Sequence, residues 1–174
     1  SYVIERITVL GGIVLSIWNS LPGKMLMTLL ISMVPVIELR GAIPIATAHG
    51  LNFWVAIGLS VVGNLIPVPF IIIFIRKIFD WMSRTSSHLG HLVAKMEARA
   101  AKKSGTVEKY AFWGLVVLVA IPLPGTGAWT GALVAAMLEM RLKKAFPAIA
   151  LGVLIAAAVV SFVTFGAGSL LASS

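Results

Sequence analysis

Apolar stretches separated by short polar breaks run along almost the whole chain. As a helix, the stretch 53–75 would span about 34 Å, which exceeds the roughly 30 Å thickness of a membrane hydrocarbon core. The stretch 145–171 is longer still, whereas each of the others covers only part of that distance. The pattern predicts two full membrane-spanning helices, an N-terminal helix and several half-helices. The seven stretches are residues 7–18, 25–34, 41–48, 53–75, 111–121, 128–137 and 145–171.

Four of the short stretches form two pairs, each interrupted by a proline-rich break. The breaks read PVIELR, beginning at Pro35, and PLPGTG, beginning at Pro122. One long stretch follows each pair, and Gly63 in the first long stretch corresponds to Gly152 in the second. The spacing from the break proline to this glycine differs by two residues between the halves. The order of elements therefore predicts a twofold internal repeat.

Basic residues are concentrated in two segments, 76–109 and 141–144. By the positive-inside rule, both segments should face the cytoplasm. If each short pair were one spanning helix, the two segments would lie on opposite sides of the membrane, whereas re-entrant hairpins put them on the same side. We therefore expect an all-α integral membrane protein with an inverted repeat of a re-entrant helical hairpin plus a transmembrane helix. The first hairpin should enter from outside and the second from inside.

The chain is expected to form one membrane domain. Residues 1–20 lack a small-residue cleavage site, so they are interpreted as a retained helix and not as a signal peptide. The expected parts are an N-terminal helix 1–20, a first repeat 22–75, a basic cytoplasmic linker 76–110 and a second repeat 111–172.

The basic linker has a helical pattern of its own. After Ser86 and Ser87, its apolar residues recur at helical spacing and its basic residues follow near the end. This pattern is typical of an amphipathic helix on the inner membrane surface, and also of a solvated linker helix. The apolar positions are Leu89, Leu92, Val93 and Met96.

Composition agrees with a membrane protein and excludes several function classes. Of the 174 residues, 59% are hydrophobic and 11% are charged, and mean hydropathy is +1.02. The net charge of +8 lies in two segments without interleaved aromatic residues, so nucleic acid is not an expected partner. There is no cysteine, which excludes disulfides and zinc–thiolate sites. His88 and His91 lack further ligands, and no nucleotide or hydrolase motif is present, so we expect no metal, no cofactor and no enzyme activity.

The first break carries the candidate chemistry, Glu38 and Arg40. Ionisable residues are costly at membrane depth and usually serve a function there. Glu38 is the natural proton or ion carrier, and Arg40 is a candidate for substrate binding. In a continuous helix, residues two apart do not face each other. Because prolines break the helix here, the two side chains can pair with each other and merely tie the tip together, or both can face a cavity.

The hairpin tips are expected to favour an anion. The second half-helix of each pair begins at a tip, so its unpaired N–H groups and positive dipole end point toward the membrane centre. Thr126 is a candidate N-cap, Gly125 and Gly127 allow close backbone approach, and the planar fork of Arg40 suits a phosphate. The carbonyl ends of the first half-helices lie at the same depth and could instead hold a cation or a proton.

Asn64 and Trp129 are weaker candidates for the substrate path. Asn64 precedes Pro67 and Pro69, so it either hydrogen-bonds backbone groups freed by these prolines or lines the path. Trp129 either lines the cavity or packs. Runs of small residues suit close helix packing or a homodimer face. The clearest runs are GALVAAM, residues 131–137, and IAAAVV, residues 155–160.

The motifs ELRGAIP, GN and PLPGTGAWTGALVA, which begin at Glu38, Gly63 and Pro122, carry a resemblance over about residues 30–171. The sequence resembles the small multidrug export protein family and is similar to the DedA superfamily of membrane proteins. The DedA resemblance implies two opposed re-entrant hairpins and movement of lipid-linked phosphates such as undecaprenyl phosphate, driven by proton or sodium gradients. It also implies that Glu38 and Arg40 are the acid and base of the first hairpin. DedA proteins tend to have an arginine in the second hairpin, where this chain has Thr126 and Gly127.

These observations predict an ion-coupled, multi-pass transporter of the cytoplasmic (inner) membrane that moves an anionic lipid carrier such as polyprenyl phosphate. Membrane lipids and a proton or sodium ion are its expected partners. Two alternatives stay open. The export family implies proton-coupled efflux of small cationic drugs, and the hairpins could also be packing motifs of a non-transporting membrane scaffold.

Overall fold

The computed structural model describes residues 2–35, 37–85, 87–88, 90–92, 94–95, 106–123 and 126–173. Within these ranges every regular element is a helix, which confirms the predicted all-α fold. Most of the predicted amphipathic pattern, including Leu89, Val93 and Met96, lies outside the described residues. The helices are α1 Tyr2–Trp18, α2 Leu21–Met33, α3 Glu38–Ala48, α4 Phe53–Leu65, α5 Pro67–Thr85, α6 Thr106–Ala120, α7 Ala128–Met137 and α8 Leu142–Ala172.

Two helical segments are long and apolar enough to cross a membrane, as the sequence predicted. The first is Phe53–Thr85, in which α4 and α5 are separated by a turn at Ile66, and the second is α8. Helices α1 and α2 would together make a third, but they meet at an angle of 109°. The membrane location is therefore supported by helix length and composition in the described part of the chain.

Both predicted pairs of short helices are broken near their prolines. Helix α2 ends before Pro35 and α3 begins at Glu38, whereas α6 ends before Pro122 and α7 begins at Ala128. Helix α8 begins earlier than expected, since Arg141 is its N-cap and Lys143 lies in its first turn. The basic link between α7 and α8 is correspondingly shorter than predicted.

In the first half, α2 packs closely along α4 at Gly63. A β-carbon at Gly63 would collide with Ser32 Oγ and would also approach the carbonyl oxygen of Leu29 at 2.5 Å. Ser32 and Leu29 lie three and six residues before Pro35. The glycine therefore lets the first half-helix approach the long helix that follows it.

The second half repeats this contact between α6 and α8. A β-carbon at Gly152 would lie 2.9 Å from the carbonyl oxygen of Val116 and 2.7 Å from Cβ of Val119. Val119 and Val116 lie three and six residues before Pro122. The two glycines that correspond in the sequence thus contact corresponding positions of their first half-helices.

Helix α5 contacts the residue that precedes the second basic segment. The guanidinium of Arg76, at the start of the first basic segment, donates to the carbonyl oxygen of Met140, directly before Arg141. Elsewhere, the rings of Trp18 and His49 stack with centroids 3.9 Å apart. The start of the first basic segment therefore lies beside the start of the second.

The core joins the two halves. Helix α5 packs on α7, and α3 and α4 pack on α8. Small side chains fill these contacts, since Ala128, Ala132 and Ala135 of α7 are fully buried within the chain. The small residues of the run GALVAAM therefore pack inside the molecule, whereas Leu133 and Met137 are exposed. A homodimer stays a prediction.

Candidate functional site

Glu38 begins α3 in an unusual backbone conformation. Its φ is +48°, in the left-handed region that side-chain-bearing residues rarely adopt. Its N–H donates to the carbonyl oxygen of Val34 across the break at 2.9 Å. A left-handed residue costs about 1–2 kcal/mol, and such strain is concentrated at functional positions.

The carboxylate of Glu38 lies at the N-terminus of α7, in the other half of the chain. Its Oε1 accepts a hydrogen bond from the backbone N–H of Trp129 at 3.2 Å, and the residue is only 2% exposed. Gly127, the N-cap of α7, leaves room for it, since a β-carbon there would overlap the carboxylate. The first hairpin thus supplies the capping acceptor that α7 lacks locally.

Arg40 lies at the opposite kind of helix end, beyond the C-terminus of α6. Its guanidinium donates to the carbonyl oxygens of Leu123 and Ile121 at 2.5 and 2.8 Å. A longer contact of 3.5 Å reaches the carbonyl oxygen of Val119, and Thr126 Oγ1 accepts at 3.3 Å. The same oxygens also accept from local backbone N–H groups, Ile121 from Leu123 at 2.9 Å and Leu123 from Thr126 at 3.3 Å. Arg40 therefore adds a positive charge at the carbonyl end of the broken helix.

The two charges therefore match the helix ends that they meet. A carboxylate is favoured at a helix N-terminus and a guanidinium at a C-terminus. The direct ion pair between Arg40 Nη1 and Glu38 Oε2 is long, at 3.9 Å. Oε2 of Glu38 and Nε of Arg40 are buried without hydrogen-bond partners in the structure. The two side chains thus join the two helix breaks instead of only tying the first break together.

The prediction that Thr126 caps α7 is wrong. The N-cap is Gly127, with no hydrogen bond from a local side chain. Thr126 Oγ1 instead lies 2.8 Å from the carbonyl oxygens of both Ile121 and Leu123, so its hydroxyl donates back toward the end of α6. The carboxylate of Glu38, a stronger acceptor than a hydroxyl, takes the capping position. Gly125 lies outside the described residues.

Trp129 links three elements. Its backbone N–H holds Glu38, and its indole Nε1 donates to the carbonyl oxygen of Met33 at the end of α2, at 2.9 Å. Asn64 is also buried, at 2% exposed, and it lies on α4. The structure therefore brings Glu38, Arg40, Thr126, Gly127 and Trp129 together, and no hydrogen bond joins Asn64 Oδ1 to this group. Their roles in binding and coupling stay predictions.

The sequence contained one signal for this tip-to-tip contact. The break PLPGTG has no ionisable residue and a glycine at the capping position, whereas PVIELR has both an acid and a base. The second break lacks a local side chain to cap α7, and the first break supplies the carboxylate that caps it. In the described part of the chain, no group of three histidine, cysteine or acidic residues is arranged to hold a metal ion.

Residues 38–159 match the family described as "Putative small multi-drug export protein". The chain belongs to this family. The match begins at Glu38 and extends into α8, so it includes Glu38, Arg40 and the whole of the second break. The family description is that of an export protein and not of an enzyme, which agrees with the predicted transporter class. The comparisons with curated proteins and with solved structures find no match.

Proposed function

We propose that this protein is an ion-coupled transporter of the cytoplasmic membrane whose substrate is an anionic lipid carrier such as polyprenyl phosphate. The observation that carries the proposal is the buried carboxylate of Glu38 at the N-terminus of α7. An anion of the protein itself occupies a position suited to a substrate anion. Arg40, whose fork suits phosphate, lies beside it.

Competition for one site would couple the substrate to protons. A phosphate and the ionised carboxylate of Glu38 would compete for the N–H groups of α7 and for Arg40. Protonation of Glu38 removes its negative charge and weakens its hold on α7. Arg40 would then exchange the carbonyl oxygens of Ile121 and Leu123 for the phosphate oxygens. One phosphate would enter as one proton binds.

The packing of the two halves supports an inverted repeat. The equivalent contacts at Gly63 and Gly152 agree with two related units, and the contact of Arg76 with Met140 agrees with both basic segments on the cytoplasmic side. In this arrangement both hairpins re-enter the membrane and meet at their tips. Separation of the Glu38–α7 contact would open the site toward one side at a time.

The second candidate is proton-coupled efflux of small cationic compounds, which the family description favours. In that case the unpartnered oxygen Oε2 of Glu38 would face the cation, and proton and substrate would compete for the carboxylate. The two candidates predict opposite effects of removing the charge of Glu38. A non-transporting scaffold predicts binding of neither ligand.

The test is equilibrium binding of a polyprenyl phosphate and of a lipophilic cation to the purified protein in nanodiscs across pH. Glu38→Gln should tighten phosphate binding and remove its pH dependence, because the competing charge is gone. Glu139→Gln is the matched control, since Glu139 is an exposed acid that also has a positive φ, +54°. Thermal unfolding of each variant shows whether it is folded.

Three outcomes would contradict the proposal. Cation binding that competes with protons, is lost in Glu38→Gln and occurs without phosphate binding would favour efflux. Binding of neither ligand by the folded wild type would favour a scaffold. Weaker phosphate binding by a folded Glu38→Gln variant would show that the carboxylate does not compete with the substrate.

A further inference from the structure

A second group of buried polar side chains lies between α2 and α4. Thr28 and Ser32 of α2 are fully buried, as is Ser60 of α4, and Asn64 of α4 is 2% exposed. Ser60 Oγ and Asn64 Oδ1 have no hydrogen-bond partner in the structure. A buried polar atom without a hydrogen-bond partner lowers the stability of the fold. A bound group that contacts these oxygens would remove this cost.

Helices α2 and α4 run in the same direction, which sets the register of these residues. Near their N-terminal ends, Lys24 Nζ lies 3.8 Å from where a β-carbon of Gly50 would be. Toward their C-terminal ends, Ser32 Oγ lies against Gly63. Ser32 is therefore level with the neighbouring Asn64.

One turn earlier, the same register brings together a second pair. Thr28 precedes Ser32 by four residues, and Ser60 precedes Asn64 by four residues. Residues four apart share one helix face. Buried polar side chains thus occur at two levels on these two packed helices.

The two buried hydroxyl groups of α2 use their hydrogens within their own helix, so they can only accept further hydrogen bonds. Thr28 Oγ1 donates to the carbonyl oxygen of Lys24 at 2.7 Å, and Ser32 Oγ donates to that of Leu29 at 2.7 Å. Each hydroxyl has one hydrogen, which is used within its own helix, so only lone pairs remain. Together with the unpartnered oxygens Ser60 Oγ and Asn64 Oδ1, they leave several lone pairs in this buried region.

Backbone carbonyl groups close to Asn64 in the sequence add partial negative charge. Pro67 and Pro69 have no N–H, so the carbonyl oxygens of Gly63 and Leu65 lose the donors that a regular helix would provide. Helix α2 ends close by at Met33, and its carbonyl end carries a partial negative charge. Broken helices in transporters bind sodium with such carbonyl groups.

We propose that these oxygens bind a single Na⁺ ion between α2 and α4, with Ser32, Ser60 and Asn64 as side-chain ligands. Hard cations prefer hydroxyl and carbonyl oxygens. The three ligand side chains are uncharged, so they neutralise no second positive charge and favour a monovalent ion over a divalent one. The site does not depend on the proposed substrate, and Glu38 and Arg40 are not among its ligands.

The test is equilibrium binding of radioactive sodium to the purified full chain in nanodiscs, with choline chloride keeping ionic strength constant. The wild type should bind one Na⁺ per chain saturably, and Na⁺ should raise the unfolding temperature relative to choline. Ser60→Ala and Asn64→Ala should each weaken Na⁺ binding about tenfold or more, because a ligand to a buried charge is lost. Ser161→Ala is the matched control, since it removes a buried, unpartnered hydroxyl from α8 and should leave binding unchanged.

The absence of saturable Na⁺ binding by the wild type would overturn the proposal and leave bound water as the group that satisfies these oxygens. Equal binding by wild type, Ser60→Ala and Asn64→Ala would place the ion elsewhere and overturn it as well. The wild-type measurement decides the question even if a variant fails to fold. No transport substrate is present, so failure here and failure of the proposed transport function are distinguishable.

Discussion

The first break brings an acid and a base to the interior of the molecule, whereas the second break, PLPGTG, has no ionisable side chain. Both breaks nevertheless follow a half-helix that packs against a glycine of the next long helix, Gly63 in one half and Gly152 in the other. The two halves thus pack in the same way but contribute different chemical groups to the site. One supplies charged side chains and the other supplies the backbone groups that they contact, so the site exists only where the two breaks meet.

The largest expected effect is all-or-none and tests whether the two halves have opposite orientations. The chain has no cysteine, so single cysteines give a clean background. Ser87→Cys and Lys143→Cys should be shielded from an impermeant thiol reagent in intact cells, because the positive-inside rule predicts that both basic segments face the cytoplasm. Asn52→Cys, between α3 and α4, should react. Labelling of positions 87 and 143 from opposite sides would require spanning helices in place of re-entrant hairpins.

Gly127→Ala should break the contact between the tips. The new β-carbon would occupy the space of the Glu38 carboxylate, and we expect the free energy of unfolding to fall by about 3 kcal/mol. Gly114→Ala is the control, since a β-carbon there meets nothing within 4 Å. Thermal unfolding in detergent measures both variants.

A second substitution sharpens this prediction. Glu38→Asp shortens the acid by one methylene and should restore part of the stability of Gly127→Ala. If Gly127→Ala is as stable as Gly114→Ala, Glu38 does not cap α7 in the folded protein.

Gly63→Ala and Gly152→Ala compare the packing of the two halves directly. Each adds a β-carbon where another helix lies in contact, so each should lower the free energy of unfolding by about 1–3 kcal/mol. Gly58→Ala and Gly114→Ala, on the open faces of α4 and α6, should be neutral or slightly stabilising. A large cost in one half with none in the other would argue against equivalent packing.

The smallest expected effect concerns Arg40. Arg40→Lys keeps the charge and loses the planar fork, so it should weaken binding of a polyprenyl phosphate about tenfold without unfolding the protein. Arg84→Lys, at an exposed position of α5, is the control. Undiminished phosphate binding by Arg40→Ala would remove Arg40 from the substrate site.

The sequence predicted the helices and the charged residues but not how they meet. Apolar length identified the long helices, prolines located the breaks, and Glu38 and Arg40 stood out as charges among apolar residues. Which helix end each charge would contact depends on how two distant segments pack, and local patterns do not contain this information. The wrong assignment of Thr126 has the same origin, because a local cap was inferred where a carboxylate from another hairpin binds.

The polar side chains between α2 and α4 were missed for a different reason. Thr28, Ser32 and Ser60 are small residues that occur often in membrane helices, and each satisfies itself on its own backbone in most contexts. Their importance depends on the register of two packed helices. Only Asn64 was unusual enough in the sequence to be noticed.

Trp129 makes a direct structural connection between the Glu38 site and the end of α2, through which the two proposed ions would be thermodynamically linked. Its backbone holds the carboxylate of Glu38, and its indole holds the last turn of α2, the helix that carries Ser32. A proton that weakens the contact of Glu38 with α7 would therefore change the mobility of α2. An ion bound beside α2 would in turn change the affinity of Glu38 for protons. Linkage of this kind is reciprocal, so the factor by which sodium alters proton affinity must equal the factor by which protons alter sodium affinity.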